Sequence, residues 1–538
     1  MDAKYYDDFY RLHGASVHDD PSRFVAVAQL VQGHVLDIGC GTGTLADFYA
    51  GEYTGVDYSK VAIDHARTIR RASANFIVSS AEDLKTWGAK KYNSVVMAEF
   101  LEHIDADDGI LDVLANMTAE NGRWIISVPN GDRVPDPSHV RMFTVPELRK
   151  KFSKYGYVKF HNWVGFQQRI LMSVEVGQTA QLRLGLPMVV KNEAKGLEFA
   201  ILSAIEIVDH IQIAVDDSST DETLAVAQRY ADVVRPYKWG GSFSAARNLA
   251  QSDLPTKWAL ILDGHEFVKD LKSLDDVLEL NVDGIVVVVE LENGFENWFP
   301  RIIKSNINWL RDVHNFPDCK STKVSTAFRV KHDRTNFQSI ESIRIRNAQR
   351  EKMIFGILGD AVKKNKKDVR SLFYLAQQSM LNKDFRRAIK YHKQYLKYAT
   401  NPQERWLVRY DMAMARVQLG HLFRAIWALH NAEDELPNRW ETSELMGAIY
   451  AMRGKYFMAL RYLVDSMKQS TGRFVYNPIK HDYVKTWDLI GRCLFNMKKY
   501  EEARIAFKRA IAVGTAMPES EQDKEKLAQI AEFVKLQE

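Results

Sequence analysis

Two kinds of hydrophobic spacing divide this 538-residue chain. Up to about residue 345, short apolar runs alternate with amphipathic stretches. HVLDIG (34–39) predicts a buried strand ending on Asp37, LADFYA (45–50) the helix after it, and YTGVDYS (53–59) a second strand closing on Asp57. Near Leu182 the pattern restarts. LPMVV (186–190) and IQIAV (211–215) predict strands, each followed by a helix-period segment, and WALIL (258–262) predicts a strand that stops on Asp263-Gly264-His265-Glu266. Strands alternating with helices call for parallel sheets. After about residue 350 the period becomes helical throughout. Small residues Ala388, Ala425, Ala459 and Ala503 recur 37, 34 and 44 residues apart, with Ala376, Ala413, Gly447 and Gly491 at a second recurring position. A repeat of that length predicts paired helices stacked into a superhelix, closed by a cap helix near 519–537.

Composition changes this picture little. The chain is 46% apolar and 26% charged, ordinary globular values. Cys40, Cys319 and Cys493 are too dispersed for a disulfide framework or a zinc knuckle. No run of 18 apolar residues occurs, so no membrane span is expected, and MDAKYYDDFYRLHG lacks a signal-peptide core. These features predict a reduced, cytoplasmic setting. The net charge of +4 hides an asymmetry. From Arg350 onward there are 34 basic and 22 acidic residues, a net of +12, against −8 for the preceding part. A solvated helical surface accounts for this; so does attraction of an anionic acceptor.

Candidate chemistry begins with DIGCGTG (37–43). Gly39, Gly41 and Gly43 permit a turn that side chains would obstruct, between a strand and a helix, with Asp57 placed to meet two ribose hydroxyls. This spelling resembles the class I S-adenosylmethionine methyltransferases. The resemblance covers residues 1–177 and extends through FIVSSAEDL (76–84), YNSVVMAEFLEHI (92–104), GRWIISVPN (122–130) and HVRMFTVPELRKKFSKYGY (139–157), the last similar to quinone-type O-methyltransferases. It implies a Rossmann-like α/β domain that binds S-adenosylmethionine through Asp37, Gly39, Cys40, Gly41, Gly43, Asp57, Ser80, Ala81 and Glu82. Because the sulfonium is already activated, alignment and exclusion of water supply much of the catalysis. A hydroxyl acceptor gains from a base, for which His139 is the candidate; a loop histidine bonded to backbone is the alternative. Glu99, Glu102 and His103 would share one face of a helix, and in some relatives such a trio holds magnesium.

The second segment, 178–345, resembles family 2 glycosyltransferases of the GT-A fold through VVKNEA (189–194), VDDSSTDET (215–223), FSAARN (243–248), ILDGHE (261–266) and FPRIIKSNINWLRDVHN (299–315). The resemblance implies a nucleotide-sugar donor, UDP-sugar favoured, held near Asn192, Glu193, Asp216, Asp221, Arg247 and Asp263. An Asp-x-Asp at the strand end binds Mn²⁺ or Mg²⁺ in that family; here His265 replaces the second acid. Extended, Asp263 and His265 point the same way, and imidazole favours Mn²⁺. His314 is the third candidate ligand. A metal-free site with His265 as hydrogen-bond donor, or a domain that has lost its chemistry, are the alternatives. The base of an inverting transferase would come from Glu290, Glu292, Glu296 or Asp312, with Asp312 favoured.

The third segment, 346–538, resembles tetratricopeptide arrays: in WDLIGRCLFNMKKYEEARIAFKRAI (487–511), Trp487, Gly491, Tyr500, Ala503, Phe507 and Ala510 fall at the repeat's positions. Such arrays bind peptides or subunits. A GT-A domain followed by repeats resembles a subgroup whose members glycosylate peptides and dimerise through the helical part, so a homodimer or a protein partner is expected. Together these readings predict a bifunctional enzyme acting on a glycan, peptide or other anionic acceptor. The alternatives are a methyltransferase carrying a degenerate GT-A domain and a binding scaffold, and a nucleic-acid-modifying enzyme, which lacks a recognisable nucleic-acid module.

Overall fold

The structure, a computed structural model, describes residues 3–13, 21–87, 90–104, 108–179, 182–271, 274–292, 294, 296–313, 315–469 and 483–516. The chain divides into two compact units, Met1–Ile343 and Arg344–Glu538.

The first unit contains two sheets. The N-terminal sheet is built from β1 (Val35–Ile38), β2 (Tyr53–Asp57), β3 (Asn75–Val78), β4 (Tyr92–Ala98), β5 (Thr118–Pro129), β6 (Gly156–Phe160) and β7 (Arg169–Val176). Their order is β3-β2-β1-β4-β5-β7-β6. β1 to β5 are mutually parallel and β7 is antiparallel to both neighbours. The helices are α1 (Ala3–His13), α2 (Pro21–Ala28), α3 (Leu45–Phe48), α4 (Lys60–Ile69), α5 (Asp108–Met117) and α6 (Val145–Phe152). The central strands are apolar on both faces because helices cover both sides; every residue of β1 and β2 is buried.

The second sheet comprises β8 (Leu184–Val190), β9 (His210–Asp216), β10 (Val233–Tyr237), β11 (Trp258–Leu260), β12 (Glu266–Leu271), β13 (Gly284–Glu290), β14 (Glu296–Lys304) and β17 (Thr322–His332), in the order β10-β9-β8-β11-β14-β13-β17-β12. A small pair, β15 (Trp309–Leu310) and β16 (Phe316–Pro317), lies apart from it. The first four strands of that order are parallel and the remainder mixed. Helices α7 (Ala194–Ala204), α8 (Thr223–Tyr230), α9 (Phe243–Gln251) and α10 (Asp275–Leu278) connect them. The two sheets share one continuous apolar core, which includes Trp124, Phe152 and Val158 of the first and Leu184, Val226 and Tyr230 of the second.

The second unit is helical. The boundary between units falls inside α11 (Ile340–Lys364). Four antiparallel pairs follow: α12 (Val369–Leu381) with α13 (Phe385–Tyr395), α14 (Pro402–Gln418) with α15 (Leu422–Glu435), α16 (Trp440–Met452) with α17 (Tyr456–Lys468), and α18 (Tyr483–Asn496) with α19 (Tyr500–Ala516). These are the paired helices that the repeat of small residues predicts. Small residues mark the closest approaches. Ala388, Ala425, Ala459 and Ala503 are at most 1% exposed. A methyl group on Gly447 would come 2.6 Å from Leu463 Cγ, and one on Gly491 2.5 Å from the Phe507 ring. Pro437 follows α15 closely, where a helix could not continue. Trp427 and Phe457 are 60% and 74% exposed. The expected cap helix at 519–537 lies outside the described residues.

Candidate functional sites

The first site forms where β1, β2 and β4 end. Gly39, Gly41 and Gly43 all have positive φ, 69°, 52° and 71°, a conformation glycine adopts without steric cost. A methyl group on Gly39 would meet Phe100 at 2.8 Å, on Gly41 the Tyr10 hydroxyl at 2.6 Å, and on Gly43 the Phe76 ring at 2.3 Å. The loop thus borders a cavity of about 560 Å³ reached by Tyr6, Tyr10, Asp37, Gly39, Cys40, Gly41, Asp57, Ser80, Ala81, Glu82, Glu102, His103 and His139. Gly43 lies outside that lining and shapes the turn from behind. Asp57 ties the loop together: its Oδ2 accepts from Gly41 N–H at 2.9 Å and its Oδ1 from Ser59 N–H at 2.8 Å. Burial pushes the Asp57 carboxyl up, against these bonds. Asp37 accepts from the Tyr53 hydroxyl at 2.6 Å, and burial pushes it up to about 7. Ser80 donates to Asp83 rather than facing a partner in the loop. The fit to an adenosyl amino acid is the cradle itself, a cavity beside a backbone turn that any Cβ would fill.

The expected Glu99–Glu102–His103 helix face does not form. β4 ends at Ala98, Glu99 has φ 54°, and Leu101–His103 is a single 3-10 turn. Glu99 turns toward Ser127, at 3.0 Å, and Arg169, at 2.8 Å. His139 takes its place: ligand atoms of Glu102, His103 and His139 all lie within 4.8 Å of one another, the one such cluster among the described residues. Both Glu102 carboxylate oxygens are buried without a partner, and burial, then the Glu99 charge, pushes that carboxyl well up. His103 Nδ1 donates to the Ser138 carbonyl at 3.2 Å, which leaves Nε2 as the acceptor atom. Burial lowers its pKa and favours the neutral ring. His139 packs its ring 5.1 Å from that of His103.

The second site lies at the ends of β8, β9 and β11. Asn192, φ 51°, accepts from Thr220 N–H at 2.7 Å. Asp216 accepts from Ser218 N–H at 2.8 Å, with Lys191 3.8 Å away. Asp221 bridges two helix starts, accepting from Thr223 N–H at 3.0 Å and Ala194 N–H at 3.1 Å. Burial raises its pKa, but these bonds outweigh burial and hold it low. Arg247, on α9, donates to Asp263 Oδ1 at 2.7 Å and lies 4.6 Å over the Trp309 ring. Burial opposes ionisation of Asp263, yet the Arg247 charge holds it far below the usual range.

Asp263 and His265 are not extended. Glu266 N–H donates to the Asp263 carbonyl at 2.9 Å, so residues 263–266 turn, and the two side chains separate. Asp263 meets Arg247, whereas His265, 4% exposed, points its Nδ1 at Glu193 Oε1, 3.0 Å away. The carboxylate fixes the tautomer, and Nε2 is left buried without a partner. That orphaned imidazole nitrogen is an acceptor of the kind a divalent cation takes, whereas the Asp263 carboxylate is held by Arg247. His314 lies outside the described residues. Behind His265, His332 stacks edge-on at 4.5 Å and its Nδ1 lies 3.1 Å from Glu266, itself paired with Arg301 at 2.6 Å. Glu266 closes the ILDGHE motif, but no motif singled out His332, which lies 66 residues away and meets it only across β12 and β17.

The four carboxylates considered as bases differ. Glu290 accepts from Lys269 at 2.6 Å and Lys331 at 2.8 Å, which hold it down to about 2. Glu292 accepts from Arg334 N–H and Glu296 from Arg329. Asp312 is exposed, and its carbonyl accepts from Phe243 N–H at 2.8 Å at the start of α9.

Comparison with known proteins finds both domains. Residues 13–165 match the family model of a methyltransferase domain, and residues 187–342 that of glycosyl transferase family 2. The chain thus carries both domains. Among curated proteins it is similar to the ubiquinone biosynthesis O-methyltransferases of Photobacterium profundum, 29% identical over 102 residues (18% of this chain, 43% of the relative), and Xanthomonas euvesicatoria, 28% over 108 residues (19% and 45%). The chain spans under half the length of these relatives. Solved structures with some likeness include a MamA protein (18% identical, TM-score 0.28, 33% of this chain and 90% of that one) and the plantazolicin methyltransferase BpumL (15%, 0.26, 32% and 90%). No helix among the described residues is long and apolar enough to cross a membrane.

Proposed function

We propose that this chain is a bifunctional enzyme that transfers a sugar from a nucleotide-sugar and a methyl group from S-adenosylmethionine to a glycan or glycosylated acceptor, with the repeat array engaging a peptide or protein partner. The observation that carries this reading is the presence, in one folded unit, of two separate strand-end sites of different chemistry: a glycine turn beside a cavity lined by Asp57, and strand ends that carry Lys191 beside Asp216 and Arg247 beside Asp263. The proposed functional regions are 1–177, 178–345 and 346–538.

At the first site, S-adenosylmethionine would supply the activated methyl group. Asp57 and the glycine loop bind it, and Tyr6 and Tyr10 cover the cavity and exclude water. His139 either accepts the acceptor's proton or, with Glu102 and His103, holds a divalent cation; sensitivity to EDTA separates the two.

At the second site, Asp216 and Asp221 orient the nucleoside and Arg247 meets the diphosphate as a bidentate donor. Asp263 and His265 would hold Mn²⁺ or Mg²⁺, which would neutralise the departing diphosphate. Asp312 serves as base, since the other three carboxylates are engaged by cations or backbone. A second reading, a domain that binds nucleotide-sugar without turnover, is favoured by one observation, the Arg247–Asp263 pair standing where the cation would.

The test uses the full chain. Calorimetric titration with S-adenosylhomocysteine and with UDP, each with Mn²⁺, Mg²⁺ or EDTA, is expected to give two independent one-to-one sites. Product analysis of UDP-sugar hydrolysis then distinguishes turnover from binding. Absence of the S-adenosylhomocysteine site removes the methyltransferase reading, and UDP binding without hydrolysis establishes the second reading.

A further inference from the structure

The segment that follows β5 carries Asp136, Ser138 and His139 to the rim of the methyl-transfer cavity. Its root, residues 130–133, is not held by the methyltransferase half alone. Asn130, fully buried, donates from Nδ2 to the Tyr230 hydroxyl at 2.9 Å, across 100 residues of sequence. That hydroxyl donates in turn to Glu198 Oε1 at 2.7 Å. Glu198 also meets Arg133 at 2.7 Å, and Arg229 donates to Asp132 at 2.9 Å. Gly131, between them, has φ 61°, and a methyl group there would lie 3.4 Å from Arg229 Nε.

Tyr230 and Arg229 end α8 and Glu198 sits in α7, both in the glycosyltransferase half. Three side chains of one catalytic half thus hold Asn130, Asp132 and Arg133 of the other. The grip is buried where it matters: Tyr230 is 0% exposed and the Glu198 side chain 13%. Breaking the tyrosine relay takes from Asn130 Nδ2 its 2.9 Å partner and leaves only longer contacts, 3.3 Å to the Gln167 carbonyl and 3.5 Å to that of Phe166, a loss that a low-dielectric seam makes costly. An exposed crossing of loops would impose no such constraint.

We propose that Tyr230 and Glu198 are positioning residues of the methyl-transfer site: the glycosyltransferase half completes the loop that presents His139, so the methyltransferase half is not a self-sufficient module. This rests on reading the 560 Å³ cavity as the methyl-transfer site. The substrate-side consequence is that Tyr230 controls the placement of His139 while leaving the S-adenosylmethionine cradle, built from β1 and β2, undisturbed.

The experiment compares full-length wild type, Tyr230→Phe and Glu198→Gln. Phenylalanine keeps the packing and glutamine keeps the volume, so both test the hydrogen bonds rather than the fold. Amide exchange of peptides spanning 130–143, followed by mass spectrometry in the presence of S-adenosylhomocysteine, is expected to rise about fivefold in each variant, the effect of one lost buried hydrogen bond. Affinity for S-adenosylhomocysteine stays within about twofold of wild type, because no cradle contact changes. Mn²⁺ affinity at the site abolished by His139→Ala, read by electron paramagnetic resonance, falls about tenfold, as removal of supporting contacts does for metal ligands. Unchanged exchange in 130–143 overturns the proposal, and so does a rise spread over all peptides with weakened S-adenosylhomocysteine, which marks a purely structural role. If wild type shows no His139-dependent Mn²⁺, the cation reading of Glu102, His103 and His139 falls, and the exchange result alone decides the positioning role. If wild type does not bind S-adenosylhomocysteine, the methyl-transfer reading falls instead, and with it this one.

Discussion

Asp57 shows how one carboxylate is used twice. Its two oxygens hold the N–H groups of Gly41 and Ser59, and it also lines the cavity. Replacing it by alanine should weaken S-adenosylhomocysteine binding by about 1.5–3 kcal/mol, the worth of a hydrogen bond to a charged group. Calorimetry on the full chain measures this, and unchanged affinity would remove the ribose role. His265 is the counterpart in the second site. With Nδ1 committed to Glu193 and Nε2 unpartnered, His265→Ala should lower Mn²⁺ affinity about 10–100-fold, and His265→Asp should shift preference toward Mg²⁺. Equal UDP binding by wild type in Mn²⁺, Mg²⁺ and EDTA would show that His265 ligates nothing. Both residues were legible in the sequence, since Asp57 closes an apolar strand and His265 follows one in Asp-Gly-His. Their partners were less so. Glu193 was recognised as a site residue, but its bond to His265 spans 72 residues. Local spacing reports only neighbours along one element, so it placed Glu99 with Glu102 and missed that a 3-10 turn would bring His139 to that position.

At the scale of elements, periodicity is a strong guide where burial enforces it. The strands containing Asp37 and Asp57 and the paired helices of the array follow their apolar patterns, because a slip would expose a whole face. Glycine positions in the array give a sharper test. Gly447 sits in α16 with Leu463 Cγ 2.6 Å and the Ala459 carbonyl 3.1 Å from where a methyl would stand, whereas Gly356 in α11 has nothing within 4 Å. Alanine favours a helix over glycine by about 1 kcal/mol. Overpacking against a backbone carbonyl costs about 1–3 kcal/mol. Gly356→Ala should therefore stabilise the helical unit slightly and Gly447→Ala destabilise it, opposite shifts of the urea midpoint followed by circular dichroism. Midpoints moving together would mean that helix propensity, rather than close packing, decides at both positions. The turn at Asp263–Glu266 lay beyond such reasoning. Asp-Gly-His-Glu permits either an extended run or a turn, and what selects the turn is a distant set of contacts, Glu193 on His265 and Arg301 on Glu266.

For the whole molecule, the sequence suggested three segments, whereas the contacts define two compact units. Both sheets contribute to a single apolar core, and Arg149 with Asp232 at 3.0 Å and Tyr157 with Asp209 at 2.7 Å add polar ties across the seam. A fragment cut at residue 177 would expose that core face and leave Asn130 and Arg133 without Tyr230 and Glu198, so methyl-transfer chemistry belongs to the entire first unit. The helical unit owes its stability to contacts between successive helix pairs. These two bases of stability predict separable unfolding. In scanning calorimetry the chain should show two transitions, one for each unit. S-adenosylhomocysteine at about 100 times its dissociation constant contributes about 2.7 kcal/mol to the unit that binds it. Spread over the unfolding entropy of 343 residues, that raises one transition by about 4 °C. UDP should raise the same transition, because the two sites share a core, and leave the other where it was. If S-adenosylhomocysteine and UDP instead raised two different transitions, the methyltransferase and glycosyltransferase halves would be unfolding independently, and the seam through Asn130, Tyr230 and Glu198 would not couple them.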